Sequence, residues 1–332
     1  MKFRTELNIE KKLLKIEHKH KIITIGSCFA ENIGAKFSDY RFNLLDNPFG
    51  VLYNPVSIYN AVKIISDNKL FTEDELIFEQ GEWHSFYHHS DFSYHDLNIC
   101  LSKINSKIVE TRKFMSDADE IVITFGTAFV YKYLESGEVV SNCHKIAADK
   151  FERYRIGMYE AREFILSTVE LLKELKPNIK IILTLSPVRH TKDGFVENQI
   201  SKSILLLAIQ EIVDENDSVF YFPSYEIVLD DLRDYRFYAE DLVHPNKIAI
   251  DYIWEKFVET YCTEDCIKLM KKIEKISKGR QHRVRNIHSA KNKLFLQNQL
   301  KLITKLENEN PHLNLEDDKE YFLKNVEMAE KN

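Results

Sequence analysis

The sequence is short of turn-makers and of covalent staples. Its 332 residues include 9 Gly, 7 Pro, 5 Cys, 5 Met and 2 Trp. So little Gly and Pro excludes a collagen-like or low-complexity chain and argues against long linkers. The cysteines, Cys28, Cys100, Cys143, Cys262 and Cys266, are odd in number and mostly scattered. That fits free thiols in a reducing compartment better than a disulfide framework. Charges interrupt every apolar run before membrane-spanning length, and the opening MKFRTELNIEKKLLKIEHKH lacks an apolar secretory stretch. A cytoplasmic location is the expectation. Neither GxxxxGK[ST] nor GxGxxG occurs, which removes the local signals of nucleotide hydrolysis and nicotinamide redox chemistry. The formal charge of -6 gives no general reason to expect nucleic acid.

What is present is material for a large core. Hydrophobic residues make up 44% of the chain, with 16 Tyr and 21 Phe, enough for one sizeable α/β domain with an appendage. Lys21 to Ile25 is a β-branched run that ends in Gly26, and Ser27 to Phe37 has helical spacing through Ala30, Ile33 and Phe37. The pattern then repeats. Strands are expected at 41–45, 120–125, 180–185 and 218–222, with helices from about Pro55, Asp96, Tyr154, Asn198 and Pro245. The aromatic, histidine-rich stretch from Glu75 to Tyr94 reads as a hairpin or an ordered loop. Strands that feed repeatedly into polar loops predict a mainly parallel sheet covered on both faces. Beyond Cys262 the composition turns basic and amphipathic, so the chain divides into a main domain, 1–262, and a mostly helical appendage, 263–332.

In such a sheet, reactive groups converge from loops at the carboxyl ends of strands. That licenses grouping Ser27, Gly50, Gly126, Thr127, Asp241 and His244. A serine at a strand-to-helix turn sits near unpaired helix N–H groups that can stabilise an oxyanion. His244 can serve as its base, with Asp241 fixing the imidazole. Read from residues alone, a serine at a helix start is more often just an N-cap, and Asp-x-x-His-Pro is often a loop cap. Cys28 is a competing nucleophile, since a helix-start thiol can be activated. Its side chain should point away from that of Ser27 and could be simple packing, so Ser27 is kept as the nucleophile.

Ile25-Gly-Ser-Cys-Phe-Ala-Glu-Asn32 resembles the signature of the GSCFA family, itself similar to the SGNH/GDSL hydrolases, and Asp241-Leu-Val-His244-Pro resembles that superfamily's closing block. NPFGVLYNP, TFGTAFVY, NCHK and SPVRH are supporting segments, and the likeness runs from about 20 to 258. The resemblance implies a flavodoxin-like three-layer α/β/α sandwich and serine-dependent hydrolysis of a small O-acyl ester, carbohydrate-linked or otherwise, without metal or organic cofactor. It maps Ser27, Asp241 and His244 to the triad, Gly50 to an oxyanion donor and Gly126 to the third block. The chain departs from the pattern at Gly126-Thr127-Ala128, where an asparagine is usual. Thr127 offers only a hydroxyl, and Asn142 either supplies the missing amide or caps its own loop. An acceptor alcohol in place of water would make the same site an O-acyltransferase. A non-catalytic binding protein is the alternative of a different class.

His84, His88, His89 and His95 are dense enough to raise zinc, but no HExxH or cysteine-rich companion accompanies them. With Trp83, Phe86 and Tyr87 they read as cleft lining or hairpin packing. His144, Arg189 and His190 are candidates for support or substrate contact, and Arg189 has the donors to bind a carboxylate. The segment 268–293, with Arg280, His282, Arg283 and Arg285, is either a solvated helix face or a grip for an anionic partner.

Overall fold

The computed structural model describes residues 4–10, 14–282 and 286–330. Five strands, Lys21–Gly26 (β1), Asn43–Asp46 (β2), Glu120–Phe125 (β3), Lys180–Leu185 (β4) and Val219–Phe222 (β5), form a parallel sheet in the order β5-β4-β3-β1-β2. The three central strands are buried along almost their whole length, which is why they read as unbroken apolar runs.

Side chains alternate across the sheet. Ile23, Ile25, Ile121, Ile123, Ile181 and Leu183 face one core, and Ile22, Val122 and Ile182 face the other. The first core is closed by Pro55–Ser66 (α2), Leu97–Met115 (α3), Met158–Leu175 (α4) and Phe195–Glu215 (α5), through residues such as Val62, Ile104, Ile165 and Leu205. The second is closed by Cys28–Asp39 (α1) and Lys247–Tyr261 (α6), through Phe29, Ile33, Phe37, Trp254 and Phe257. The result is a parallel-sheet α/β sandwich. Glu264–Gln281 (α7), Ala290–Glu309 (α8) and Glu316–Glu330 (α9) follow it and enclose a third apolar cluster around Ile276, Leu296, Ile303 and Phe322.

Two local expectations are corrected and a third, a hairpin or an ordered loop at the His-rich stretch, is narrowed. Phe151–Arg155 is a strand, not the start of α4; it pairs antiparallel with Phe129–Tyr133, which also pairs with Val139–Val140. Helix α6 starts at Lys247 because Pro245 bridges to Tyr238 and Asn246 Oδ1 caps the Ala249 N–H at 3.1 Å. The His-rich stretch is a hairpin, Ile77–Glu79 with Glu82–His84, followed by a short 3-10 turn. On the basic segment, Lys272, Lys278 and Arg280 face Glu309, Glu274 and Asp318; Arg283 and Arg285 lie outside the described residues. Among the described residues no helix is long and apolar enough to cross a membrane.

Candidate active site

At the end of β1 the chain turns through Gly26 with φ 146°, and a Cβ there would run into the Thr124 carbonyl of the neighbouring strand, so the turn requires glycine. Ser27 follows in extended conformation as the residue before α1, but its side chain caps none of the helix N–H groups. Its N–H donates to Thr124 O at 3.2 Å. The residue is 0% exposed, and its Oγ has no hydrogen-bond partner among the described residues. Cys28, the first helical residue, is only half-buried.

The opposing wall is the turn from Ala239 to His244. Asp241 Oδ1 accepts the backbone N–H groups of Val243 and His244, each at 3.0 Å, while Oδ2 meets His244 Nδ1 at 2.6 Å. Leu242 takes a left-handed φ of 61° to make this possible. One carboxylate therefore folds the turn and aims the imidazole. The two backbone N–H groups, with the imidazole after them, hold the Asp241 carboxyl down at about 2. His244 Nε2 then lies 3.6 Å from Cys28 Sγ. The sequence expectation of a Ser27–His244 contact is not met in this geometry, because the helical turn that begins at Cys28 presents the sulfur, and not the serine oxygen, to the histidine.

Burial pushes the Cys28 thiol up, and Glu31 adds to the rise. The Lys202 charge and the backbone amides of Phe29 and Cys28 act against it. Lys202 was missed in the sequence. It lies on α5, 1% exposed, and its Nζ donates to the carbonyls of Gly126 and Ser186, each at 2.6 Å. Burial brings its ammonium down to about 7, with the Cys28 thiolate opposing and Arg189 adding to the fall. The available signal was helical spacing, since Lys202 shares the buried stripe of Asn198, Leu205 and Ile209.

The remaining candidates distribute as follows. Gly126 lies between Ser27 and His190: a Cβ on it would be 3.4 Å from Ser27 Cβ and 3.1 Å from His190 Nε2. His190 is held near 4, mainly by burial and then by Lys202 and His244, and its Nε2 is unpartnered among the described residues. The Gly50 N–H donates to Asn47 O at 2.7 Å. The Thr127 N–H donates to Tyr53 O, and its hydroxyl pairs with Ser201 at 3.1 Å and accepts the Phe129 N–H at 3.1 Å. Asn142 Oδ1 accepts the His144 N–H at 3.0 Å and so caps its own loop. The Gly50 N–H expected as an oxyanion donor is thus already engaged, and the Thr127 hydroxyl is held between Ser201 and the Phe129 N–H. His84 bonds Ser93 Oγ at 2.6 Å and Glu79 O at 3.0 Å, and its ring stacks on His144, whose Nε2 meets Ser85 O at 2.8 Å. These histidines pack the hairpin against the loop that holds Asn142. Among the described residues no cluster of three or more His, Cys, Asp or Glu is arranged to hold a metal.

The signature at the β1–α1 turn and the Asp241–His244 turn both lie within residues 21–257, which match the GSCFA family throughout. The chain belongs to the GSCFA family. Residues 273–327 match the GSCFA domain protein C-terminal domain. No curated protein matches this GSCFA chain. Solved structures similar to it include a Clostridium thermocellum family 3 carbohydrate esterase, with 8% identity, 76% of this chain and 97% of that one covered and a TM-score of 0.35. A carbohydrate esterase family 3 protein from Talaromyces cellulolyticus gives 8%, 77%, 99% and 0.34. An acetyl xylan esterase from Butyrivibrio proteoclasticus gives 11%, 76%, 64% and 0.36. Superpositions this loose say nothing about chemistry.

Proposed function

We propose that this GSCFA protein transfers acyl groups from small O-acyl esters, with Cys28 as nucleophile, His244 as general base and acid, and Asp241 as the group that orients His244. The reading rests on one observation, the continuous contact from Asp241 Oδ2 through His244 to Cys28 Sγ at 2.6 and 3.6 Å. A nucleophile, a base in reach of it and a third group orienting the base is the arrangement covalent catalysis needs. The partial exposure of Cys28 supports the choice over Ser27, whose oxygen no ester carbonyl can reach without movement of the turn.

His244 takes the thiol proton as sulfur attacks the ester carbonyl. The C–O bond breaks, the alcohol leaves with that proton, and a thioester remains on Cys28. Water, or an acceptor hydroxyl, then loses its proton to His244, attacks the thioester and releases the thiol. With Gly50 and Thr127 engaged elsewhere, the oxyanion falls to the N–H groups of Cys28 and Phe29 at the uncapped start of α1.

The test is turnover of a panel of short-chain acyl esters, with peptide mapping of the trapped acyl group. Cys28→Ala is expected to abolish turnover and trapping, a loss of at least about 100-fold. Ser27→Ala, which removes an unpartnered buried hydroxyl, is expected to retain both. The opposite pattern in folded variants returns the nucleophile to Ser27.

A further inference from the structure

Beside the Asp241–His244 turn lies a cavity of about 210 Å³, lined by Arg189, Phe195, Leu229, Tyr235, Tyr238 and Leu242 among others. Arg189 is the unusual member. Arg233, which also lines the cavity, is paired with Asp230. Arg189 pairs with no carboxylate among the described residues, and its Nε is buried there without an acceptor. The residue is half-buried, so Nε is shielded without a partner while the rest of the fork stays open to a ligand. Its field reaches the hydroxyls of Tyr225 and Tyr238, opposing the rise that burial gives both phenols. The cavity is also tied to the candidate nucleophile's base: the Arg189 N–H donates to Val243 O at 3.4 Å, next to His244, and Leu242 forms part of the wall.

We propose that this cavity is a subsite for a carboxylate carried by the substrate, bound by the planar fork of Arg189 and flanked by Tyr235 and Tyr238. A guanidinium matches a carboxylate in a two-bond geometry that a lysine cannot reproduce. Asp234 also lines the cavity, but it caps the Arg236 N–H and pairs with the Arg236 side chain, leaving Arg189 as the charge open to a ligand. The chemistry of the inference rests on the acyl-transfer reading; occupancy of the cavity does not.

Two measurements separate those dependences. In the first, thermal unfolding of the full chain is followed with glutarate and with its dimethyl ester at matched ionic strength. Glutarate is expected to raise the unfolding temperature, since a ligand of the folded state stabilises it, and the neutral diester is not. The glutarate shift is expected to disappear in Arg189→Gln and to be reduced in Arg189→Lys. Equal shifts with glutarate and diester in the wild type, an undiminished glutarate shift in Arg189→Gln, or no shift at all overturns the subsite. In the second, kcat/KM is compared for the p-nitrophenyl monoester of glutarate and for the butyrate ester. The ratio of the two is expected to fall about 10- to 100-fold in Arg189→Gln, the size of a lost charged hydrogen bond. An unchanged ratio overturns the subsite. Absence of turnover with both esters in the wild type counts against the acyl-transfer reading, and the glutarate shift then decides the cavity on its own.

Discussion

The Cys28 sulfur is pulled in two directions by single charges. Glu31 disfavours the thiolate and Lys202 favours it, with burial the largest influence and the net displacement upward. Iodoacetamide alkylation of Cys28, followed by mass mapping across pH, is therefore expected to have its midpoint above that of an ordinary cysteine. Glu31→Gln should move it down and speed alkylation at neutral pH; Lys202→Met should move it up. Identical midpoints in all three proteins would show that neither charge reaches the sulfur. Lys202→Met also strips the Gly126 and Ser186 carbonyls of a donor, at about 1–3 kcal/mol for each left unsatisfied, so its folding is checked first. Asp241 and His244 were legible in the sequence because their relation is local, a three-residue turn closed by one carboxylate. Which of the Ser27 and Cys28 side chains faces His244 was not, because it depends on how the Gly26 turn rotates the first residue of α1, and one helical residue changes the direction of a side chain by about 100°.

Among elements, α9 packs through its apolar stripe and is also tied by one buried carboxylate. Asp318 is 1% exposed and receives Arg41 at 2.9 and 3.0 Å and Arg280 of α7 at 2.9 Å. Asp318→Ala leaves two partly exposed guanidinium groups without their carboxylate, so the cost falls below that of breaking a fully buried pair, to about 1–3 kcal/mol. Denaturant unfolding is expected to show a loss of that order; a loss below about 0.5 kcal/mol would mean that water replaces the carboxylate. The sequence disclosed the central strands and the helices that cover them, since each strand is a continuous apolar run and each helix keeps its stripe. It did not disclose the antiparallel strands at 129–133 and 151–155. Phe151-Glu-Arg-Tyr-Arg has no continuous apolar face, and its charges find partners in distant elements, Arg153 with Asp193 and Arg155 with Glu197. Tertiary pairing, not local pattern, makes it a strand.

For the molecule as a whole, the two ends of the sandwich are laced together. Ile16 donates its N–H to Tyr261 O at 2.7 Å and accepts from the Thr263 N–H at 3.0 Å, while Cys266 and Met270 of α7 complete the second core. A chain ended after residue 262 loses the second of these bonds and both core side chains. It is expected to unfold at a lower temperature and to bind a hydrophobic dye; an unchanged unfolding temperature would show that the sandwich closes without α7. The same lacing governs how the protein is made. Strand β1 lies in the sheet between β2 and β3, and the segment just before it waits for partners nearly 250 residues downstream. Contacts this distant in sequence are slow to form. The nascent sheet therefore stays open on the α1 face until α6 has been made, with Phe29, Ile33 and Phe37 lacking that cover until then. A ribosome stalled before α6 is complete would hold a sticky intermediate, and chaperone dependence should concentrate there.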